Sequence, residues 1–344
     1  FDVVPFRPPT HSSQIARLGF NENPLGPSPL AVQAIQSFAS GVSRYPSDDG
    51  IELKLALAKD FGVDYTNVVL GNGASELLEL VSRCFLSAGD EVIFCWPTFP
   101  MYASLGKLCG ARNVVIPLRE DRYDLDAIHD HINKRTKLIF ITNPNNPSGT
   151  VLEQAEFESF IGSIPDHVVV VIDEAYIECL EPHRIQSSKL VRQNVLVVRT
   201  FSKIRGLAGL RVGYAVAQSE MVRILEQVRR PFNTNALAQA AALASLQDDA
   251  HLKRTLQAYE TGRAFFYRLF EQLNLPYVRS VTNFVLVDVR RDSEEVYRQL
   301  LGQGFLVKPV PPTQLRVSIG LPEQNHDFGR ALDDILRVAV RAQR

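Results

Sequence analysis

Six times between residues 67 and 200 the chain makes a short apolar run and then breaks it: "NVVLGNG", "EVIFCW", "NVVIPL", "KLIFIT", "HVVVVID" and "NVLVVRT". Runs this short suit a strand buried on both faces better than a helix. Helix-like stretches such as "SELLELVSRCFL" and "EQAEFESFIGSI" separate them. Buried strands alternating with helices predict an α/β fold with a mostly parallel sheet covered on both sides. Past residue 235 the pattern changes. Two helical stretches, "NALAQAAALASLQ" and "AHLKRTLQAYETGRAFFYRLFEQL", lead into "NFVLVDV", "FLVKPV", "LRVSIG" and "ALDDILRVAV", the elements of a second, smaller α+β unit. The expected organisation is an irregular, Pro- and Asn-rich arm over 1–30, a large unit over 31–248 and a small unit over 249–344. The arm is expected to pack against the small unit or a partner subunit.

With 344 residues, 45% of them hydrophobic and 22% charged, the chain can bury a sizeable core without metals or disulfides. A formal net charge of −1 gives no basic excess, which argues against a nucleic-acid partner. Cys84, Cys95, Cys109 and Cys179 are scattered and form no CxxC pair, so they read as reduced, buried thiols of a cytoplasmic protein. No apolar stretch reaches the roughly 18 residues of a membrane span. The opening "FDVVPFRPPT" has neither a charged leader nor an apolar core, so no signal peptide is expected. A trimmed leader stays open, because the first residue is not Met. His129 and His131 are two apart on a helix-like stretch and cannot share a face, so no metal site is expected.

In an open α/β sheet, ligands sit beyond the carboxyl ends of the strands. Four strand ends are informative. After "VVL" come Gly71, Asn72, Gly73, Ala74 and Ser75, a glycine turn into a helix whose free amides can hold an anion; alone, it reads first as a plain turn capped by Ser75, because short glycine turns are common. After "KLIFIT" the run from Asn143 to Gly149 holds two prolines and three asparagines, more side-chain amides than a turn needs. After "VVVVI" comes Asp173, whose carboxylate requires a partner if buried, with Tyr176 three residues on. It could equally cap the next helix. After "VLVVR" come Thr200, Ser202 and Lys203, then Arg211. A lysine over a cleft is poorly hydrated, which favours a neutral amine able to form a Schiff base. The hydroxyls and the guanidinium are the donors that a phosphate dianion takes. One cofactor uses an anion site, an acid, a phenol and a reactive amine together: pyridoxal phosphate.

Carried through its motifs, the chain resembles the fold-type I aminotransferases of the aspartate aminotransferase superfamily, and most closely the histidinol-phosphate aminotransferase family. The resemblance runs from "FNENPLGPSP" through "RYP", "GNGASELLEL", "PTFPMY", "NPNNPSGT", "DEAY", "TFSKIRGLAGLRVGY" and "RPFNTN" to "LRVSIG". It implies a seven-stranded large-domain sheet and a homodimer with shared active sites. It implies that Lys203 carries the cofactor and shuttles the proton, and that Asp173 pairs with the pyridine nitrogen. Tyr176 and Asn146 would hydrogen-bond the ring oxygen, and Tyr102 would stack on the ring. The amides of Ala74 and Ser75, with Thr200, Ser202 and Arg211, would hold the phosphate, and Tyr45 would reach the phosphate in the neighbouring subunit. Arg316, Lys308, Asn23 and Leu25 would contact substrate, Arg316 through a bidentate fork on a carboxylate.

The implied reaction converts L-histidinol phosphate and 2-oxoglutarate to imidazole acetol phosphate and L-glutamate. Four positions depart from the family's usual pattern: Leu25 stands where an aromatic residue is frequent, Lys308 where a second arginine is, Ser75 where Asp is, and Arg205 where an aromatic is. These weigh on the donor rather than on the cofactor. Two other readings stay open: an aminotransferase for aromatic amino acids, and a threonine-phosphate decarboxylase-like lyase. A regulatory domain borrowing this fold would need an added DNA-binding module, and a 30-residue arm does not hold one.

Overall fold

In the strand Thr136–Thr142, Ile139 and Ile141 enter the core on one side of a sheet, Leu138 and Phe140 the core on the other, and all four are fully buried. The neighbouring strands repeat the alternation: Val170 and Ile172 against Val169 and Val171, Val195 and Val197 against Leu196 and Val198. This two-faced burial is why the runs are continuously apolar rather than alternating with polar residues.

The computed structural model describes residues 15–180 and 187–342, so residues 1–14 of the expected arm lie outside the described part. Strand β1 (Ala16–Arg17) is followed by α1 (Pro29–Phe38), α2 (Ile51–Phe61), β2 (Val68–Gly71), α3 (Ala74–Phe85) and β3 (Glu91–Trp96). Then come α4 (Met101–Leu108), β4 (Arg112–Pro117), α5 (Leu125–Asp130), β5 (Thr136–Thr142), α6 (Gln154–Ser163) and β6 (Val169–Asp173). The series continues with β7 (Val195–Thr200), β8 (Gly213–Val216), α7 (Ser219–Val228), α8 (Ala236–Ser245) and the long α9 (Asp249–Gln272). The last elements are β9 (Tyr277–Val278), β10 (Phe284–Asp288), α10 (Ser293–Gly302), β11 (Phe305–Leu306), β12 (Lys308–Val310), β13 (Gln314–Ser318) and α11 (Pro322–Ala342).

Strands β2 to β8 form a seven-stranded sheet in the order β2-β8-β7-β6-β5-β3-β4, the mostly parallel sheet expected. Within this sheet, among the described residues, only β8 runs opposite to the other strands, pairing antiparallel with both β2 and β7. Patterning does not announce β8, because it is four residues long and opens on Gly213. The registers align the ends that matter: Thr142 lies opposite Asp173, and Thr200 opposite Gly213. The carboxyl ends of β5, β6 and β7 thus open on one edge.

A second sheet, β12-β13-β10-β9, is antiparallel and shares its core with α9, α10 and α11. Tyr176, Cys179 and Ile204 are buried in this second core, although they belong to loops of the large sheet. The segment after β1 is tied there too, since β1 pairs in parallel with β11. Ser28 caps α1, accepting from the Ala31 amide at 3.1 Å with Pro29 at the first helical position, which fixes where the irregular segment ends and the helix begins.

Phe140 stacks on Tyr102 with ring centroids 4.5 Å apart at an interplanar angle of 5°. Phe140→Ala is expected to cost about 3–5 kcal/mol, measured as a fall in the denaturation midpoint. A loss below about 1 kcal/mol would show that this layer does not hold the sheet.

Candidate active site

The turn between β2 and α3 is shaped by an arginine. Gly73 has φ +75°, and a Cβ at this position would collide with the Arg211 guanidinium. Arg211 is itself left-handed at φ 54°, which aims it back across the turn. Its Nη1 donates to the Ser202 hydroxyl at 3.3 Å and to the Ala208 carbonyl at 3.0 Å. The Thr200 hydroxyl accepts from the Ser202 amide at 3.1 Å and donates to the Ser202 hydroxyl at 3.0 Å. Ala74 and Ser75 open α3 on the same cavity, where first-turn amides have no intrahelical acceptor. Positive charge, two hydroxyls and a helix N-terminus converge there, the donor set of a phosphate cup.

Asp173 forms the floor. Tyr102 donates to its Oδ2 at 2.7 Å and the Ala175 amide to its Oδ1 at 3.1 Å. The Tyr102 hydroxyl also lies 2.6 Å from Thr142 Oγ1. Burial pushes the Asp173 carboxyl up to about 6, against the Tyr102 hydrogen bond that favours its charge. Tyr102 itself is held well above its ordinary range by burial and by Asp173, so it is a donor.

The expected stacking of Tyr102 on a cofactor ring is corrected by this geometry. Its ring has no accessible surface, and one face is taken by Phe140. The aromatic residue of "PTFPMY" that lines the cavity is Phe99.

Lys203 stands on the opposite wall. Its Nζ donates to the Phe20 carbonyl at 3.0 Å and lies 5.9 Å from the centre of the Tyr176 ring. Burial, and then the Arg316 charge, bring the amine down to about 8. The Tyr176 hydroxyl accepts from Asn21 Nδ2 at 2.7 Å, and burial raises it to about 12. Arg316 donates to Asn146 Oδ1 at 2.6 Å and to the Gly19 carbonyl at 2.5 Å, while its Nε is buried without an acceptor among the described residues. Lys308 lies directly opposite Arg316 in the β12–β13 register. Burial and Arg316 both lower the Lys308 amine. Like charges facing each other across a strand pair are unfavourable, and an anion between them relieves the repulsion.

Ala74, Ser75, Asn146, Asp173, Tyr176, Thr200, Ser202, Lys203, Arg211, Lys308 and Arg316 all line one cavity of about 640 Å³. Asn23 and Leu25 do not line it. Asn23 donates to the Ile204 carbonyl at 2.7 Å and accepts from the Leu25 amide at 2.9 Å, so it braces the turn behind Lys203. Leu25 is 39% exposed and outside the cavity. Tyr45 is 82% exposed, stacked on Phe232 at 4.6 Å, and also outside it. Sequence reasoning missed the cavity-lining run Gly19 to Glu22. It works largely through backbone carbonyls, which leave no side-chain signal; the one available signal was Asn21, an Asn at φ 57°, a residue type that adopts the left-handed region more readily than most. Among the described residues no cluster of metal-ligating side chains exists.

The residues present fit pyridoxal phosphate. The crowded Gly73–Arg211 cup matches its phosphate, the buried carboxyl of Asp173 a ring nitrogen, and the Lys203 amine an aldehyde. The sequence profile of the family described as "Aminotransferase class I and II" matches residues 13–331. A histidinol-phosphate aminotransferase of Moorella thermoacetica is 44% identical over 330 residues, covering 94% of this chain and 86% of that one. One of Caldicellulosiruptor saccharolyticus is 40% identical, covering 94% of this chain and 92% of that one. A crystal structure of histidinol-phosphate aminotransferase from Sinorhizobium meliloti in complex with pyridoxal-5'-phosphate superposes with a TM-score of 0.90 at 28% identity, covering 94% and 91% of the two chains. The chain belongs to the class I and II aminotransferases, in the histidinol-phosphate aminotransferase family, and is a pyridoxal phosphate-dependent enzyme.

Proposed function

We propose that this enzyme moves the amino group of L-histidinol phosphate to 2-oxoglutarate, giving imidazole acetol phosphate and L-glutamate. The observation that carries the reading is the facing pair Arg316 and Lys308, two desolvated cations with a buried, unpartnered Nε on the cavity wall. A phosphate dianion brings more charge and more acceptor oxygens to this cationic wall, and to the unpartnered Arg316 Nε, than the single carboxylate of an aromatic amino acid does. The aromatic reading is favoured only by Phe20 and Phe99 on the same wall.

Bound pyridoxal phosphate supplies an electron sink for the charge left when the substrate loses its Cα proton. The protein does the rest. Thr200, Ser202 and Arg211 hold the cofactor phosphate with the α3 amides. Asp173, oriented by Tyr102, faces the ring nitrogen as a carboxylate and keeps that nitrogen protonated. Tyr176 stays a phenol at neutral pH and donates to the ring oxygen beside Asn146. With its amine brought to about 8, Lys203 is partly neutral near pH 7–8 and serves as the general base that takes and returns the Cα proton. Arg316 binds the acidic group of each substrate in turn. We further propose that two copies pair through the face carrying Tyr45 and Phe232, so that Tyr45 reaches the neighbour's cofactor phosphate. The free cysteines Cys84, Cys95, Cys109 and Cys179 accord with a cytoplasmic site of action, and no helix among the described residues is long and apolar enough to cross a membrane.

The test is a titration of the cofactor-loaded enzyme with single amino donors, followed by visible absorption without any oxo acid. L-histidinol phosphate should discharge the band at far lower concentration than phenylalanine or tyrosine; the reverse order would replace the donor with an aromatic amino acid. For the dimer, Tyr45→Phe should weaken cofactor affinity in an equilibrium titration, and unchanged affinity would remove Tyr45 from the site.

The Asp173 carboxyl yields a prediction with a sign. Its folded value of about 6 lies above the ordinary 3.8. Its contribution to stability is therefore complete below 3.8 and is lost as pH rises through 6. Asp173→Asn should make the cofactor-free protein more stable at pH 8, by on the order of 2 kcal/mol, and not at pH 4. The Tyr102 hydroxyl can then accept from the amide and donate to Thr142. The same variant should bind cofactor more weakly. A variant no more stable than wild type at pH 8 would mean that burial of this carboxylate carries no strain.

A further inference from the structure

The turn that carries Lys203 is clamped by an ion pair that no step of the reaction uses. Arg205, two residues past Lys203, donates through Nε to Glu178 Oε1 at 2.7 Å, and its Nη2 lies 2.6 Å from the same oxygen. Its Nη1 donates to the Ser245 carbonyl at the end of α8, at 2.8 Å. The side chains of the pair are only 12% and 18% exposed, and neither residue lines the cavity. Glu178 stands two residues past Tyr176, in the 3-10 turn Ile177–Leu180 that begins there. The two turns are stiff in themselves. Gly206 donates to the Lys203 carbonyl at 3.0 Å, Asn23 to the Ile204 carbonyl at 2.7 Å, and Cys179 to the Tyr176 carbonyl at 3.0 Å. Apolar packing of Ile204 with Tyr176 and Cys179 brings the turns together, and Arg205 adds the directional polar link between them.

We propose that Arg205 and Glu178 are positioning residues that fix the spacing between the Lys203 amine and the Tyr176 phenol. These two groups would address adjacent substituents of the cofactor ring, its aldehyde carbon and its phenolic oxygen, so their separation must be held as the amine moves between cofactor and substrate. An aromatic side chain at position 205 could fill the same volume, but apolar packing is non-directional. A charge-assisted pair on one carboxylate oxygen, with a third bond to a helix end, fixes direction as well as distance. Removing one partner would strand a buried charge, so the informative changes remove or shorten the pair as a whole.

The experiment uses the cofactor-loaded enzyme and two variants. Arg205→Gln combined with Glu178→Gln removes both charges at near-constant volume, and Glu178→Asp keeps both charges while drawing the turns together. The readouts are the midpoint of the pH titration of the bound cofactor's visible absorption, and kcat against KM. Lys203 is also faced by Asp173, Arg316, Glu22 and Arg211, all left unchanged, so a moved midpoint reports the altered spacing. The expected result is a midpoint shifted by about half a pH unit or more in both variants. The kcat should fall about tenfold or more, with KM for 2-oxoglutarate within about twofold. A midpoint and kcat equal to wild type in either folded variant, whatever happens to Tm, would overturn the proposal and leave the pair a structural tie. The midpoint needs only bound cofactor, so it stands whichever amino donor the enzyme uses.

Discussion

A carboxylate at the end of a strand buried on both faces is the constraint around which this molecule is arranged. Asp173 follows Val171 and Ile172, both without accessible surface. Leaving its charge unsupported there would cost several kcal/mol. The support comes from Tyr102 and from the Ala175 amide. Tyr102 can serve only because α4 places it over Phe140, whose ring it stacks on, with Thr142 on the adjacent strand to orient its hydroxyl. Support is incomplete, as the raised carboxyl shows, and that residue of electrostatic demand faces the cavity. A protonated ring nitrogen meets it.

The cationic half of the site obeys the opposite logic and comes largely from the other sheet. Arg316 and Lys308 sit on β13 and β12, in a unit whose core also encloses Tyr176 and Ile204. Three backbone and amide groups of the first described segment hold the loose ends: the Gly19 carbonyl on Arg316, the Phe20 carbonyl on Lys203 and the Asn21 amide on Tyr176. Neutral carbonyls stabilise a cation without cancelling it. The cavity therefore keeps its positive charge for phosphate and carboxylate, and the segment between β1 and α1 becomes part of the wall instead of a loose arm.

How far all this was legible in the sequence depended on which atoms carry each role. Roles that fall at the end of an apolar run could be read, because the run marks the strand and the strand end marks the cavity. Asp173, Thr200, Ser202, Lys203 and Arg211 are singled out in this way, and each lies on the cavity wall. Roles that depend on side-chain direction within a helix could not. "PTFPMY" offers two aromatic residues, and only the position of α4 puts Phe99 on the wall and Tyr102 beneath it. The direction of a loop side chain is no easier to read: the amide of Asn23 turns inward to the Ile204 carbonyl. The contributions of Gly19 and Phe20 are carbonyl oxygens, which every residue has, so no residue type could signal them.

The acid strand and the lysine strand are also joined behind the site, and the spacing explains how the front can carry unbalanced charge. In the segment from Asp173 to Glu178, Asp173 and Tyr176 face the cavity, whereas Glu174 and Glu178 do not. Each of these glutamates grips an arginine on β7 or in the turn that follows it: Glu174 takes Arg199 at 2.8 Å, and Glu178 takes Arg205. The two arginines flank Lys203 in sequence, one on β7 and one in the turn beyond it. Arg199 lies over the Phe61 ring at 4.3 Å, so its guanidinium is packed as well as paired. Buried pairs of this kind add little net stability over apolar residues of the same shape, but they tolerate only one alignment. Two such pairs, one on each side of the lysine, lock β6 to β7 where the cofactor must be met. Satisfied charges behind the strands hold the unsatisfied ones in front at a set distance, so the cavity stays electrostatically poised without collapsing into ion pairs of its own.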